Sequence, residues 1–339
     1  MLIPGHAYPV CWSAALTASG RPRAVRLGAT PLALFRDASG SPRAFVDACP
    51  HRGYPLSEGR VARGELECGY HGWRFNREGD CVAVPGRIAA AGSSPACAIT
   101  HAAADAHGVT WVSSQPGGQA PRIPDIQTEA APTAFTLRWS QALDGALVDV
   151  AENILDVIHT VFLHRGIFRK PGRGIEIEAR ATRTATRIEV DYVGEPVPTG
   201  LLGKILAPRG GVVTHVDRFL MPCVAQVEYA LGDRLRLRAT SFLMPEAAAR
   251  TQALHVVSIA PRALAIAVLP AFAPLAWHVL RQDARALRLQ SMNHARLPDA
   301  RATSTELDII GPHVLQMLER AEREAPPLPD AAWAVKLRV

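Results

Sequence analysis

Cys49-Pro50-His51-Arg52-Gly53 and Cys68-Gly69-Tyr70-His71-Gly72-Trp73, with sixteen residues between His51 and Cys68, decide how the first third of this chain folds. Each half supplies one thiolate and one imidazole. Two cysteines can hold one iron of a [2Fe–2S] unit and two histidines the other. Neutral imidazoles in place of thiolates remove negative charge and raise the reduction potential, and their second nitrogens can couple electron gain to proton uptake. A Cys₂His₂ set also suits zinc. Two details argue against zinc: each half mixes Cys with His where zinc fingers pair like with like, and Arg52-Gly53 and Gly72-Trp73 suit tight loops that shield a cluster.

Around these loops the chain reads as short strands between Gly- and Pro-rich turns, with strand composition over 24–36, 43–47 and 108–113. The stretch QPGGQAPRIP at 115–124 marks a boundary, giving domains 1–120 and 121–339. The sequences CPHRG and CGYHGW resemble the Rieske signature almost residue for residue. Trp12, GDCVAVPG at 79–86 and GVTWV at 108–112 sit where that family places similar elements. The resemblance implies that Cys49, His51, Cys68 and His71 hold a [2Fe–2S] cluster.

A cluster of this kind moves single electrons, so the rest of the chain decides the function. Residues 145–163 read as one helix, containing ENILDVIHTVFLH. Asp156 and His159 are three apart and share a face. His164, five beyond His159, lies about 140° away around an ideal helix. Both rings meet one metal only if the helix ends or distorts between them, and Arg165-Gly166 fits such an end. Two histidines and a carboxylate with open positions form the facial triad of non-haem Fe(II) oxygenases.

The spacing Asn-x-x-Asp-x-x-His-x-x-x-x-His resembles the catalytic motif of the Rieske non-haem iron oxygenases. It is most similar to the short, single-subunit branch with O-demethylating monooxygenases; the ring-dihydroxylating branch has one more residue before its Asp. By that resemblance His159 and His164 bind Fe(II), and Asn153 lies close to it without ligating firmly. Asp156 is implied to bridge the iron site to a cluster histidine, His71 of the partner subunit, in a head-to-tail homotrimer. The carboxylate ligand is expected at the start of a late helix. Asp283 is favoured over Glu306 and Asp308, which helix capping also explains.

The implied fold is α+β: an all-β Rieske domain, then a helix-grip (START-like) catalytic domain whose antiparallel sheet wraps a long C-terminal helix. Strand patterning over 134–143, 175–192, 212–220, 235–242 and 252–259, and helical patterning over 282–293 and 304–324, agree with it. The implied chemistry is hydroxylation or oxidative dealkylation of a hydrophobic aromatic or polycyclic molecule, monooxygenation being favoured over ring dihydroxylation. O₂ and electrons from a ferredoxin or flavin reductase would be consumed. The alternative is a non-enzymatic Rieske electron-transfer protein fused to a hydrophobic-ligand-binding module.

Composition bounds these readings. Of 339 residues 48% are hydrophobic and 20% charged, which excludes wholesale disorder. The net charge of +6 is scattered, which argues against nucleic acid and suits an acidic electron carrier. Met1 to Val10 lacks a basic start and an apolar run, so a cytoplasmic location is expected. The cysteines outside the motif, Cys11, Cys81, Cys97 and Cys223, read as buried small hydrophobes. Arg165 and Arg169 could clamp a carboxylate, although a surface role is preferred. Residues 263–280 carry no charge and approach the length of a membrane span. Pro270 and Pro274 are expected to break that helix, and the segment reads as buried or lid-forming, with peripheral membrane contact the lesser reading.

Overall fold

Short Val, Leu and Phe runs cut by glycines fold as antiparallel strands, and the computed structural model describes them over residues 2–86, 97–117, 119–126, 134–168, 174–197, 200–201, 213–232, 235–300 and 302–338. Two units result: Met1–Asp125 with Met244–Ala247, and Ile126–Leu243 with Ala248–Val339.

The first unit contains β1 Ala7–Trp12, β2 Arg23–Leu27, β3 Thr30–Arg36, β4 Pro42–Val46, β5 Arg60–Ala62, β6 Glu65–Glu67, β7 Arg74–Phe75, β8 Cys81–Ala83, β9 Thr100–Ala106 and β10 Val109–Pro116. A six-stranded sheet runs β1-β10-β9-β4-β3-β2, and a four-stranded one runs β5-β6-β7-β8. The single strand expected over 24–36 is a hairpin, because Gly28 (φ +59°) turns the chain between β2 and β3. Phe35, Phe45, Leu56, Leu66 and Phe75 are fully buried around the two cysteine loops, with Phe35 and Phe45 edge to face at 5.1 Å. Cys97 is exposed, against the expectation of a buried thiol; Cys11, Cys81 and Cys223 are buried.

The second unit holds β11 Phe135–Leu143, α1 Leu147–Leu155, α2 His159–Phe162, β12 Glu176–Arg183, β13 Arg187–Val193, β14 Val213–Leu220, β15 Val224–Leu231, β16 Leu235–Ala247, β17 Arg250–Ala260, α3 Arg262–Arg296, α4 Gly311–Glu322 and β18 Ala331–Arg338. Its eight strands form one antiparallel sheet, β11-β17-β16-β15-β14-β13-β12-β18. Period-2 alternation sends one face inward: Ile177, Ala179 and Ala181 from β12, Ile188, Val190 and Tyr192 from β13, and Val213, His215, Asp217 and Phe219 from β14 are buried.

Four expectations are corrected here. The helix over 145–163 is two helices, interrupted at 156–158 because Asp156 leaves helical geometry (φ −85°, ψ 121°). The run over 175–192 is the β12–β13 hairpin. The helix expected from 304 begins at Gly311, with a proline in its first turn. Residues 263–280 belong to one continuous α3 that includes Pro270 and Pro274, and they are largely exposed rather than buried. Only its inner side packs, where Ala265 and Phe272 join Leu235 and Ile259 of the sheet.

Candidate metal centres

The two Cys–His loops are built alike. The Cys49 amide donates to the Tyr54 carbonyl at 2.8 Å and the Gly53 amide to the Cys49 carbonyl at 2.8 Å. In the second loop Cys68 donates to Trp73 at 2.8 Å and Gly72 to Cys68 at 3.0 Å. Gly53 and Gly72, each four residues past its cysteine, hold φ of +71° and +69°, a turn that a side chain strains. The rule is one repeated backbone turn that points two donor side chains at one place.

The donors meet there. The Cys49 and Cys68 thiols are buried and in hydrogen-bonding reach of each other. His51 and His71 lie with ring centroids 4.7 Å apart, and Trp73 stacks on His51 at 4.5 Å and 4°. Burial pushes the Cys49 thiol up to about 11, with Cys68 beside it adding to the rise against the loop amides. A thiol so placed keeps its proton in water and surrenders it only to a metal. His51 Nδ1 is buried with no partner. Buried sulfurs and an imidazole nitrogen with no hydrogen-bond partner among the described residues fit the two-iron cluster.

In the second unit the break at 156–158 creates the other centre. Asp156 closes α1, its amide donating to the Glu152 carbonyl at 2.8 Å. Its carboxylate opens α2, accepting from the amides of Ile158 (2.7 Å) and His159 (3.1 Å). Burial opposes ionisation of Asp156, but His159 and these amides outweigh it and hold the carboxyl below its usual range. With α2 ending at Phe162, His159 and His164 face each other, Nε2 to Nε2, at 3.3 Å. The angular objection raised by an ideal helix disappears with the helix.

Asp283, on α3, completes the group: its Oδ1 is 3.0 Å from His164 Nε2 and 3.6 Å from His159 Nε2. The three ligand atoms lie within 4.8 Å of one another. Gln282 fixes the tautomer, since its Oε1 accepts from His164 Nδ1 at 2.8 Å and so leaves the Nε2 lone pair facing Asp283. Three lone-pair donors aimed at one point repel unless a cation lies between them. Ligands about 2.1 Å from a common metal and about 90° apart sit about 3 Å from each other, which the observed spacings match. Burial works against a charged His159, yet Asp156 and Asp283 draw it up to about 9; the nitrogen invites a proton or the metal that replaces it. Burial resists charge on Asp283 too, and the two histidines overcome it.

Glu306 and Asp308 do not join this group. Both are in the turn before α4, where Asp308 Oδ2 accepts from the Thr305 amide at 2.6 Å. Asn153 lines the cavity that the triad faces. Arg165 is exposed and does not line the cavity; Arg169 lies outside the described residues.

That cavity, of about 500 Å³, is walled mainly by apolar side chains of β11, β14–β17 and α3, such as Leu137, Val227, Leu237 and Leu275. It has the size and character of a small-molecule site. Two polar features interrupt it. His255 Nε2 and Trp139 Nε1 are buried without partners, their rings stacked at 4.9 Å, while His255 Nδ1 meets Ser241 Oγ at 2.8 Å. Burial lowers His255 to about 4, so it stays neutral. The second feature is an ionic array: His215 meets Glu195 at 2.6 Å and Asp217 at 3.0 Å, and is stacked between Tyr192 (4.5 Å) and Tyr229 (3.9 Å). Burial opposes the charge on His215, and the two carboxylates raise it to about 9 nonetheless. Sequence reading missed this array. The signal was His and Asp two apart in a run already read as a strand, which puts both on its buried face.

The family comparisons agree with this geometry. Residues 6–92 match the Rieske [2Fe-2S] domain, and residues 145–324 match the vanillate O-demethylase oxygenase C-terminal domain. The oxygenase component of chloroacetanilide N-alkylformylase from Rhizorhabdus wittichii is 29% identical over 266 residues, 73% of each chain. The oxygenase component of dicamba O-demethylase from Stenotrophomonas maltophilia is 33% identical over 137 residues, 40% of each chain. Protein TIC 55 of Arabidopsis thaliana is 32% identical over 200 residues, 58% of this chain but only 35% of its own length. The crystal structure of dicamba monooxygenase bound to 3,6-dichlorosalicylic acid superposes with a TM-score of 0.77 at 21% identity, covering 94% of this chain and 97% of that one. The expected fold, a Rieske domain followed by a domain with a large antiparallel sheet and few late helices, is therefore the observed one. With one domain match at each end and more than half its length in the second, the chain belongs to the Rieske non-haem iron oxygenases, in the group with a vanillate O-demethylase-type C-terminal domain.

Proposed function

We propose that the chain is the terminal oxygenase component of a Rieske system that monooxygenates a hydrophobic aromatic or polycyclic molecule. One observation carries the reading: the ligand atoms of His159, His164 and Asp283 converge within 4.8 Å at the wall of an apolar cavity, in a chain with a Rieske domain. Cys49, His51, Cys68 and His71 hold the cluster, and His159, His164 and Asp283 hold Fe(II). Iron with open positions supplies O₂ activation. A substrate C–H, O₂, two electrons and two protons give C–OH and water; where the new hydroxyl is on a carbon bonded to oxygen or nitrogen, collapse of that carbon completes a dealkylation. The electrons come one at a time from a ferredoxin or flavin reductase.

The chain's own residues do the rest. Gln282 and Asp156 orient the imidazoles, the apolar wall excludes water and seats the substrate, and His255 with Trp139 offers a hydrogen bond to a polar substituent. Asp156 is the bridge to a cluster histidine of a neighbouring copy, which makes the working form a homotrimer in the cytoplasm. Relatives support the chemistry by name, the dicamba and chloroacetanilide enzymes being an O-demethylase and an N-alkylformylase.

Iron quantitation with electron paramagnetic resonance tests this. Three irons per chain, a Rieske signal on reduction and a separate signal from a nitric oxide adduct are expected. Two irons and no adduct would leave an electron-transfer protein with a binding module.

A further inference from the structure

The first half of α3 has no reason to be in water. No charged residue lies between Arg262 and Arg281, and an 18-residue window of the helix has mean hydropathy 1.9 with only 6% of it buried. Ile266 is 51% exposed and Trp277 59%. The inner side packs on the sheet and lines the cavity through Phe272, Leu275, Ala276 and Val279, so apart from exposed His278 the segment is apolar on both sides. A helix of that kind belongs in a core or in lipid, and exposed apolar patches of this extent mark contact sites.

We infer that this face of α3 docks into the surface of an anionic lipid bilayer, lying in its plane. The inner side is occupied by the sheet, which rules out spanning and leaves the geometry of an interfacial helix. Charge selects the occupant. Arg262 precedes the apolar stretch, and Arg281, Arg285 and Arg288 follow it, all exposed. Asp283 is the sole acidic residue of α3, and it faces the two histidines rather than solvent. Basic flanks around an apolar stretch match phosphate headgroups around an acyl layer, with exposed Trp277 at the boundary that indoles prefer. A second copy seated on the same face would bring the same arginines against these, a repulsion that a bilayer does not impose. Resting on the oxygenase reading, the docking also names the substrate class: a membrane-partitioned lipophile, which reaches the cavity past the helix that is both its wall and the docking face.

The test is flotation of the metal-loaded full chain with vesicles of phosphatidylcholine alone and of phosphatidylcholine with phosphatidylglycerol. Binding to the anionic vesicles is expected, weakened by salt. Ile266→Glu and Ala271→Glu lie on the exposed side and do not line the cavity; combined, they should weaken binding at least tenfold with both metals retained. In the unmodified chain, brominated acyl chains should quench tryptophan fluorescence, and Trp277→Phe should remove that quenching, which keeps the idea testable if the glutamate variants misfold. Absence of flotation with either vesicle overturns docking, as does a Trp277 that proves shielded from a water-soluble quencher in the vesicle-free homotrimer, since a second copy then covers the face. Flotation needs no turnover, so binding by a chain with an empty iron site would sustain the docking while ending the oxygenase reading.

Discussion

His215→Leu is the sharpest probe of the ionic array behind the cavity. The substitution removes the cation between Glu195 and Asp217, whose side chains are each 3% exposed. Breaking a buried ion pair from one side costs about 3–5 kcal/mol, because an uncompensated charge stays behind. Loss of the ring between Tyr192 and Tyr229 adds about 1 kcal/mol. At about pH 8 the penalty is then about 4–6 kcal/mol, a fall of roughly 10–20 °C in the unfolding midpoint for a unit of about 200 residues. Near pH 5 the penalty grows, because the parent chain then holds the full stability of the His215 charge, part of which is already lost at pH 8. The sign for the parent chain follows from the raised His215: the stability its charge confers is complete below about 6.5 and is lost as pH climbs through about 9. Thermal unfolding followed by circular dichroism at both pH values measures this, and adding Glu195→Gln and Asp217→Asn should restore much of the loss at pH 8. An equal penalty at pH 5 and pH 8 would refute the reasoning, for it would mean that His215 is only a packed ring.

Other outcomes follow from the two centres. Asp283→Ala should abolish mononuclear iron, read by metal analysis, while the reduced cluster signal persists. Asp156→Asn should keep both metals and slow turnover at least tenfold, since its remaining oxygen still caps α2 while the carboxylate charge beside His159 is gone; unchanged turnover in a steady-state assay removes the bridge. Gly59→Ala puts a methyl group onto the Glu67 carbonyl next to Cys68, an overpacking of about 1–3 kcal/mol, and should bleach the visible spectrum of the cluster. Gly40→Ala, at φ +80° with open space around it, should cost only about 1–2 kcal/mol of backbone strain and leave the colour intact.

The candidate ligands were legible in the sequence because metal chemistry restricts residue type and spacing together. Cys49, His51, Cys68 and His71 sit within two short loops, and their identity survives any error in strand boundaries. The kink at Asp156 was not legible, since Val157, Ile158, Val161 and Phe162 continue a helical pattern; the capping bonds to Ile158 and His159 overrode it. Asp283 could be ranked against Glu306 and Asp308 but not chosen by spacing, because it lies 119 positions beyond His164 and only the fold of α3 brings them together. β15 and β18 escaped notice for a similar reason: edge and hairpin partners are set by register against neighbours. The exposure of α3 was read the wrong way round, because apolar composition states what a segment avoids and not whether the chain provides it.

The prolines of α3 have a mechanical consequence. Pro270 and Pro274 have no amide hydrogen for the carbonyls of Ile266 and Pro270, so two rungs are missing from the helix, both upstream of Asp283. A rod with its weak rungs at one end bends there first. The apolar end that walls the cavity is then the softer one, while the turn that carries Gln282 and Asp283 keeps its aim on the histidines, so wall and anchor share one helix without sharing its compliance.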